Sequence, residues 1–424
     1  MNTLIKNACI ITCNKEFDVV KNGYVVIENK KIKLVSDKMP EGDFDVIDAK
    51  GGILMPGLVN AHTHSPMTLF RGYAGGYPLE VWLNDYIFPK EAILQKEDVY
   101  NASLLAIMEM ISSGTTLFSD MYDFSNSIAD AVEVSGIKAL ISRGSTYFDP
   151  SVPIKDHKGT MESVELLNRK SDRVSVAFAP HAVYTTTPEF LEFFANLAYE
   201  NNAIYHIHLS ETITENENCI KKYGKTPTKL IYDAGAFKAK VLAAHCVHLT
   251  DEDISVFAEN DAIIAHNPTS NLKLGSGIAP INKYKKAGIN LTIGTDGTSS
   301  NNSLNMLKEL NIASLLTCGT TLDPLAVSPE DVIRWATNAS ALGFDDTGVI
   351  EEGKKADFII LSSDEVNMIP CHDAPSNVVY SANAQNVKFV FADGKMLYKD
   401  GEFLTLDKEK IIADFNCSYK RIFN

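Results

Sequence analysis

Eight short apolar segments, most of them separated by helical patterns, constrain this chain more than any other feature. They read GLVNAHTH (57–64), TTLFSD (115–120), KALISRG (138–144), VSVAFAPH (174–181), AIYHIHLS (203–210), KVLAAHC (240–246), AIIAHNP (262–268) and NLTIGTD (290–296). Short apolar runs alternating with helices imply strands of one parallel sheet. The helical pattern is clear in KEDVYNASLLAIMEMISSG (96–114) and TPEFLEFFANLAYEN (187–201). The second of these opens with Thr187 as N-cap and Pro188 at the first helical position. Eight such units predict an α/β fold, a closed (β/α)8 barrel of the TIM type. An open doubly wound sheet is the alternative, but no GxGxxG follows the first strand.

The two ends differ from the middle. Residues 1–53 read as short strands with polar turns. From about residue 350 the same texture returns in KKADFIILS and VKFVFADGKMLYKDGEFLTL, with Asp393-Gly394 and Asp400-Gly401 as turn signals. Both ends are expected to be all-β, without a long helix.

Charge and cysteine usage narrow the partners. With 39 basic and 54 acidic residues the net charge is −15, so there is no basic footprint for nucleic acid or an anionic membrane. No run of about 18 apolar residues predicts a membrane span, and MNTLIKNACI lacks the long apolar stretch of a signal peptide. The seven cysteines are scattered, odd in number and without a CxxC pair, which suits reduced thiols in the cytoplasm.

The strand ends carry the chemistry. A lone histidine on a strand is usually a hydrogen-bonded core residue. Here, however, six of the ten histidines stand at predicted C-terminal strand ends: His62, His64, His181, His208, His245 and His266. Asp296 ends the eighth strand. Catalytic groups of a (β/α)8 barrel come from this face. His62 and His64 alternate onto one side of a strand, so both can converge on one ion. Three imidazoles (His62, His64, His208) and the Asp296 carboxylate suit one divalent ion, zinc by preference, with iron or manganese as alternatives. Such an ion brings the pKa of a bound water towards about 7. Glu211, three residues past His208, is placed to shuttle its proton. His245 and Asp296 are placed to orient the water and stabilise developing charge. His206 lies deeper on the face of His208 and reads as a core or supporting residue.

The segments VNAHTHSPMTLFRG, HIHLSE, AAHCVHL, AHNPTSNLKLGSGIAP and GTDGTSSNNSL together resemble the amidohydrolase superfamily. Within it they are most similar to 5′-methylthioadenosine/S-adenosylhomocysteine deaminases, over nearly the whole chain. The resemblance implies a barrel over residues 56–346 and a small β-sandwich built from residues 1–55 and 347–424. It implies the metal ligands His62, His64, His208 and Asp296, with Glu211 as acid/base and His245 polarising the attacked centre. No lysine ends the fourth strand, so one metal is expected. The implied reaction is hydrolytic deamination of an adenine nucleoside (5′-methylthioadenosine, S-adenosylhomocysteine or adenosine) to its inosine analogue and ammonia. Relatives are commonly dimers or tetramers, so a homo-oligomer is expected.

Substrate contacts follow from the same resemblance. Glu91 matches a glutamate that holds ribose hydroxyls, Arg143 and His181 match residues lining the nucleoside pocket, and Trp82 is expected to wall it. Each has a plain alternative: a helix-terminal charge, a salt bridge, a capping contact and an ordinary core tryptophan. The loop after Arg71 carries Gly75 and Gly76 where relatives usually have acidic residues. The arginine that meets the homocysteine carboxylate in some relatives has no secure match, and Lys155 and Lys158 stand nearby instead. Two other readings stay open. One is a different ring reaction of the superfamily, such as guanine or pterin deamination or s-triazine hydrolysis. The other is a catalytically inactive metal-binding protein.

Overall fold

The computed structural model describes residues 2–424. The amino-terminal strands are β1 (Asn2–Ile11), β2 (Val19–Glu28), β3 (Lys31–Ser36), β4 (Phe44–Asp48) and β5 (Ile53–Pro56). Eight parallel strands follow: β6 (Leu58–Thr63), β7 (Thr115–Met121), β8 (Lys138–Ser145), β9 (Val174–Pro180), β10 (Ile204–Leu209), β11 (Lys240–His245), β12 (Ile263–His266) and β13 (Asn290–Ile293). These are the eight predicted segments, and they lie side by side in chain order. β6, β7, β10 and β12 are buried along their whole length, as expected for parallel strands covered on both faces.

The barrel closes between its first and last strands by contacts outside the ladder. The Asp296 N–H donates to the His62 carbonyl at 2.9 Å. Asn60 Nδ2 donates to Thr295 Oγ1 at 2.7 Å, and the Thr295 N–H returns to Asn60 Oδ1 at 2.9 Å. Gly294 permits this approach, because a Cβ there would stand 2.8 Å from both the N and the O of His62. Closure therefore sets Asp296 beside His62.

The carboxy-terminal strands are β14 (Phe358–Leu361), β15 (Val387–Ala392), β16 (Lys395–Lys399) and β17 (Glu402–Phe403). They join the amino-terminal strands in one mixed sheet, ordered β17-β16-β15-β14-β5-β1-β2-β3, with β4 added on β1. β14 runs antiparallel to β5, so the two ends of the chain meet there. A buried ion-pair cluster fastens this sheet to the barrel. Lys138, at the start of β8, lies 2.8 Å from Asp393 and also pairs with Asp357, which accepts a hydrogen bond from Thr347 at 2.6 Å.

The expectation of an all-β carboxy-terminal region is corrected. It also holds helices at Ala374–Tyr380 and Lys408–Phe423. In the longer one Asp407 caps the Lys410 N–H at 3.0 Å, and Ile411, Ser418 and Ile422 are buried along one face. Its apolar residues are interleaved with charged ones and few of them are buried, and the turn signals just before it dominate the segment. This helix packs on the helix Lys96–Ser112. Its end braces the stretch leading to Glu91: the Phe423 ring sits 5.1 Å from that of Tyr73. Lys90 Nζ donates to the Ile422 carbonyl at 3.0 Å, and Arg421 pairs with Asp98. Among the described residues no helix is long and apolar enough to cross a membrane.

Candidate metal centre and adjoining cavity

Four side chains converge at the mouth of the barrel. His62 and His64 project from the end of β6, His208 from the end of β10, and Asp296 follows β13. His64 Nε2 lies 3.2 Å from Asp296 Oδ1 and 3.2 Å from His208 Nε2, and His62 Nε2 lies 3.5 Å from Asp296 Oδ1. The other ring nitrogens define the tautomers. His64 Nδ1 donates to the Met121 carbonyl at 2.6 Å, and His208 Nδ1 donates to the His181 carbonyl at 2.7 Å. As neutral imidazoles their Nε2 atoms carry lone pairs that point at each other; without a cation, Asp296 outweighs burial and raises His64 to about 9, so a proton on Nε2 takes the place a cation would fill. His62 Nδ1 meets His206 Nε2 at 3.1 Å, while His62 Nε2 is buried without a hydrogen-bond partner. Opposed lone pairs, an orphaned imidazole nitrogen and a carboxylate oxygen form a donor set that a divalent cation satisfies.

The electrostatics fit that purpose. Burial, aided by neighbouring imidazoles, keeps His208 well below its ordinary pKa and brings His181 down to about 3, so both stay neutral. Burial alone would raise Asp296, but His62 and His64 outweigh it and hold the carboxyl well below the usual range. Its second oxygen accepts from Ser270 at 2.6 Å and Ser300 at 2.8 Å. Backbone strain accompanies the site. Ser210, His245 and Asp296 all have positive φ, at 49°, 73° and 59°, a costly region for such residues that clusters at functional sites.

Glu211 is nearly fully buried beside this centre. Its Oε1 accepts from Ser276 Oγ at 3.0 Å, and its Oε2 lies 3.7 Å from His245 Nε2. Burial raises its pKa. His245 Nδ1 donates to Asn271 Oδ1 at 2.8 Å, which turns Nε2 towards Glu211. Two overlapping trios have ligand atoms within 4.8 Å of one another: His62, His64 and Asp296, and His62, His208 and His245.

The centre opens into a cavity of about 350 Å³, in the size range of a small-molecule site. His64, His208, Glu211, His245 and Asp296 form its floor, and Trp82, Glu91, Arg143 and His181 line its walls. All the predicted substrate-contacting residues are thus in one cavity. Trp82 begins a single π-helical stretch, Trp82–Ile87, of the kind that recurs at functional sites. Burial raises Glu91 to about 7. Arg143 lines the wall, yet its guanidinium is already committed: Nε donates to Glu162 at 2.6 Å, and the other arm pairs with Asp123. Gly75, Gly76, Lys155 and Lys158 lie outside the lining. His266, predicted at the same face, is buried below the cavity with Nδ1 unpartnered. A second cavity shares Leu79, Phe148 and Tyr184 with the first, and Glu215, Asn218 and Ser276 line its far side.

A model of the amidohydrolase family matches residues 53–397. The chain belongs to the amidohydrolase family. It is 43% identical over 422 residues to a 5-methylthioadenosine/S-adenosylhomocysteine deaminase of Caldicellulosiruptor saccharolyticus, covering 98% of this chain and 97% of that protein. It is 42% identical to a 5′-deoxyadenosine deaminase of Methanosarcina acetivorans, over 97% of this chain and 96% of the relative. An adenosine deaminase from Xanthomonas campestris, solved with bound zinc, superposes with a TM-score of 0.93 at 33% identity, over 99% of this chain and 98% of that one. This family membership makes a metal-dependent hydrolase of the chain.

Three supporting residues escaped the sequence reading: Asn271 behind His245, Ser276 on Glu211, and Glu215 under Glu211. Only Glu215 left a signal, as an acid four residues past Glu211 at the start of a helix.

Proposed function

We propose that this chain hydrolytically deaminates an adenine nucleoside, and that zinc is its metal. The observation that carries the reading is the placement of Glu211, a buried carboxylate outside the three-histidine, one-aspartate donor set, in the same cavity as Glu91. His62, His64, His208 and Asp296 would hold the ion. When bound, the ion supplies a water acidified enough to add to ring carbon C6. Two protons must then move: one ends on N1, and the other leaves with the amine as ammonia. Glu211 is placed to carry the first, taking it from the water and delivering it to N1. His245, with its Nδ1 proton given to Asn271, faces the same region through Nε2, which is placed to accept from the attacking water and orient it. Asp296 holds the second proton until the amine departs. Glu91 accepts two neighbouring ribose hydroxyls, and Trp82 and His181 flank the base. Zinc deaminases of another fold use the same division between metal ligands and a separate glutamate. The names of the full-length relatives support an adenosine-type substrate. The free state of all seven cysteines suits work in the reducing cytoplasm.

The test is ammonia release from adenosine, 5′-methylthioadenosine, S-adenosylhomocysteine, adenine and guanine with metal-loaded protein. Preference for the nucleosides is expected. Preference for adenine or guanine would keep the barrel and Glu211 but overturn the substrate assignment.

A further inference from the structure

We propose that Glu215 is a positioning residue, whose carboxylate holds the backbone that aims Glu211 at the substrate. The inference rests on the deaminase reading above. Glu215 sits in the first turn of the helix Ile213–Tyr223, whose N-cap Thr212 accepts the Glu215 N–H at 3.1 Å. In an ordinary capping box a glutamate at this place returns to the N-cap N–H. Here its side chain reaches further back. Oε1 accepts from the Ser210 N–H at 3.0 Å, and Oε2 accepts from the Glu211 N–H at 2.8 Å.

That pairing depends on the strained residue. Ser210 has a φ of 49°, and a left-handed residue lets successive N–H groups converge into a nest for an anion. In this chain the nest is filled from within, by the Glu215 carboxyl, whose two oxygens each accept one of the N–H groups. The nest and its carboxylate are buried, so water does not compete for these bonds. With Ser210 and Glu211 clamped at the backbone, the Glu211 side chain leaves in one direction. Ser276 then holds its Oε1, and Oε2 faces His245. Glu215 touches neither the metal ligands nor the substrate cavity. It lines the second cavity instead.

Glu215→Gln and Glu215→Ala test the idea. The glutamine keeps one acceptor but turns an amide N–H₂ towards one of the two backbone donors. Both variants are expected to bind one metal equivalent by elemental analysis and to keep KM for adenosine within about threefold. Their kcat is expected to fall by about 10 to 100-fold, the range for second-layer groups at active sites. Because the side chain backs onto the second cavity, formate added to Glu215→Ala should restore part of kcat, whereas formamide should not. Should Glu215→Ala fail to fold, the glutamine variant carries the test alone. A glutamine variant with wild-type kcat overturns the proposal, as does loss of activity in step with loss of metal. Absence of rescue in a folded, metal-loaded alanine variant overturns it too. If the wild type in the same assay releases no ammonia from any nucleoside, the deaminase reading fails instead, and the two failures are distinct.

Discussion

His64 and His208 face each other through Nε2 atoms 3.2 Å apart, with both Nδ1 protons given to main-chain carbonyls. While both rings are neutral neither nitrogen can donate to the other, and without a cation Asp296 favours a proton on His64 instead. A cation between them relieves the repulsion, so occupancy of the site is a folding term as well as a catalytic one. One divalent ion per chain is expected by elemental analysis. At a hundredfold excess over Kd, binding adds about 2.7 kcal/mol, which raises the thermal midpoint by a few degrees. Scanning fluorimetry with and without a chelator checks this, and an unchanged midpoint would count against a bound ion.

Glu211→Gln separates the proton shuttle from the ligands. The amide cannot carry a proton between water and N1, but it preserves shape and the contact with Ser276. Metal content is expected to be unchanged while kcat falls by about 10² to 10⁴. Turnover at the wild-type rate would remove Glu211 from the mechanism.

Glu91 gives the cavity a pH dependence with a definite sign. Burial lifts its pKa from an ordinary 4.5 to about 7, so the carboxylate forms only as pH rises through that value. Ionised, it is the stronger acceptor for two hydroxyls. The kcat/KM for adenosine is therefore expected to climb through pH 7, and Glu91→Gln to lose that inflection. Glu91→Ala should raise KM for nucleosides by about 10 to 100-fold, from the loss of charged hydrogen bonds of about 1.5–3 kcal/mol. Free adenine should be unaffected, and paired pH profiles decide the matter.

Lys138 gives a stability prediction that leaves the site alone. Its side chain is 2% exposed and pairs with two acids from the other sheet. Lys138→Met leaves Asp357 without its cation, while Asp393 retains Arg173 and Lys355. Breaking one side of a buried pair costs about 3–5 kcal/mol. The urea midpoint should drop markedly with the metal content preserved.

The barrel was legible because each of its strands is a short apolar run bounded by turn residues, and the convergence of the proposed ligands because they stand where those runs end. Period-two spacing was enough to place His62 beside His64. Nothing local marks Ser276 or Asn271, which reach Glu211 and His245 from a loop 65 residues away in sequence and from the short helix Pro268–Lys273, 26 residues away. Arg143 illustrates the converse limit. Its place in the cavity wall followed from the strand, but its pairing with Glu162 and Asp123 depends on how the next helix and a neighbouring loop pack. The helix Lys408–Phe423 was missed because the hairpin signals before it, Asp393-Gly394 and Asp400-Gly401, set the reading of the whole end, although its own apolar residues recur on one face.

That same helix gives the cavity wall a long wait. Lys90, next to Glu91, finds its partner carbonyl on Ile422, 332 residues downstream. A chain that leaves the ribosome at about 5–20 residues per second therefore exposes the Trp82–Glu91 segment for about 15 to 70 s before its brace exists. The proposed ligands are all synthesised once the chain reaches Asp296, whereas the wall gains its brace only at the chain's very end, so the two halves of the cavity are supported by parts of the chain made at different times.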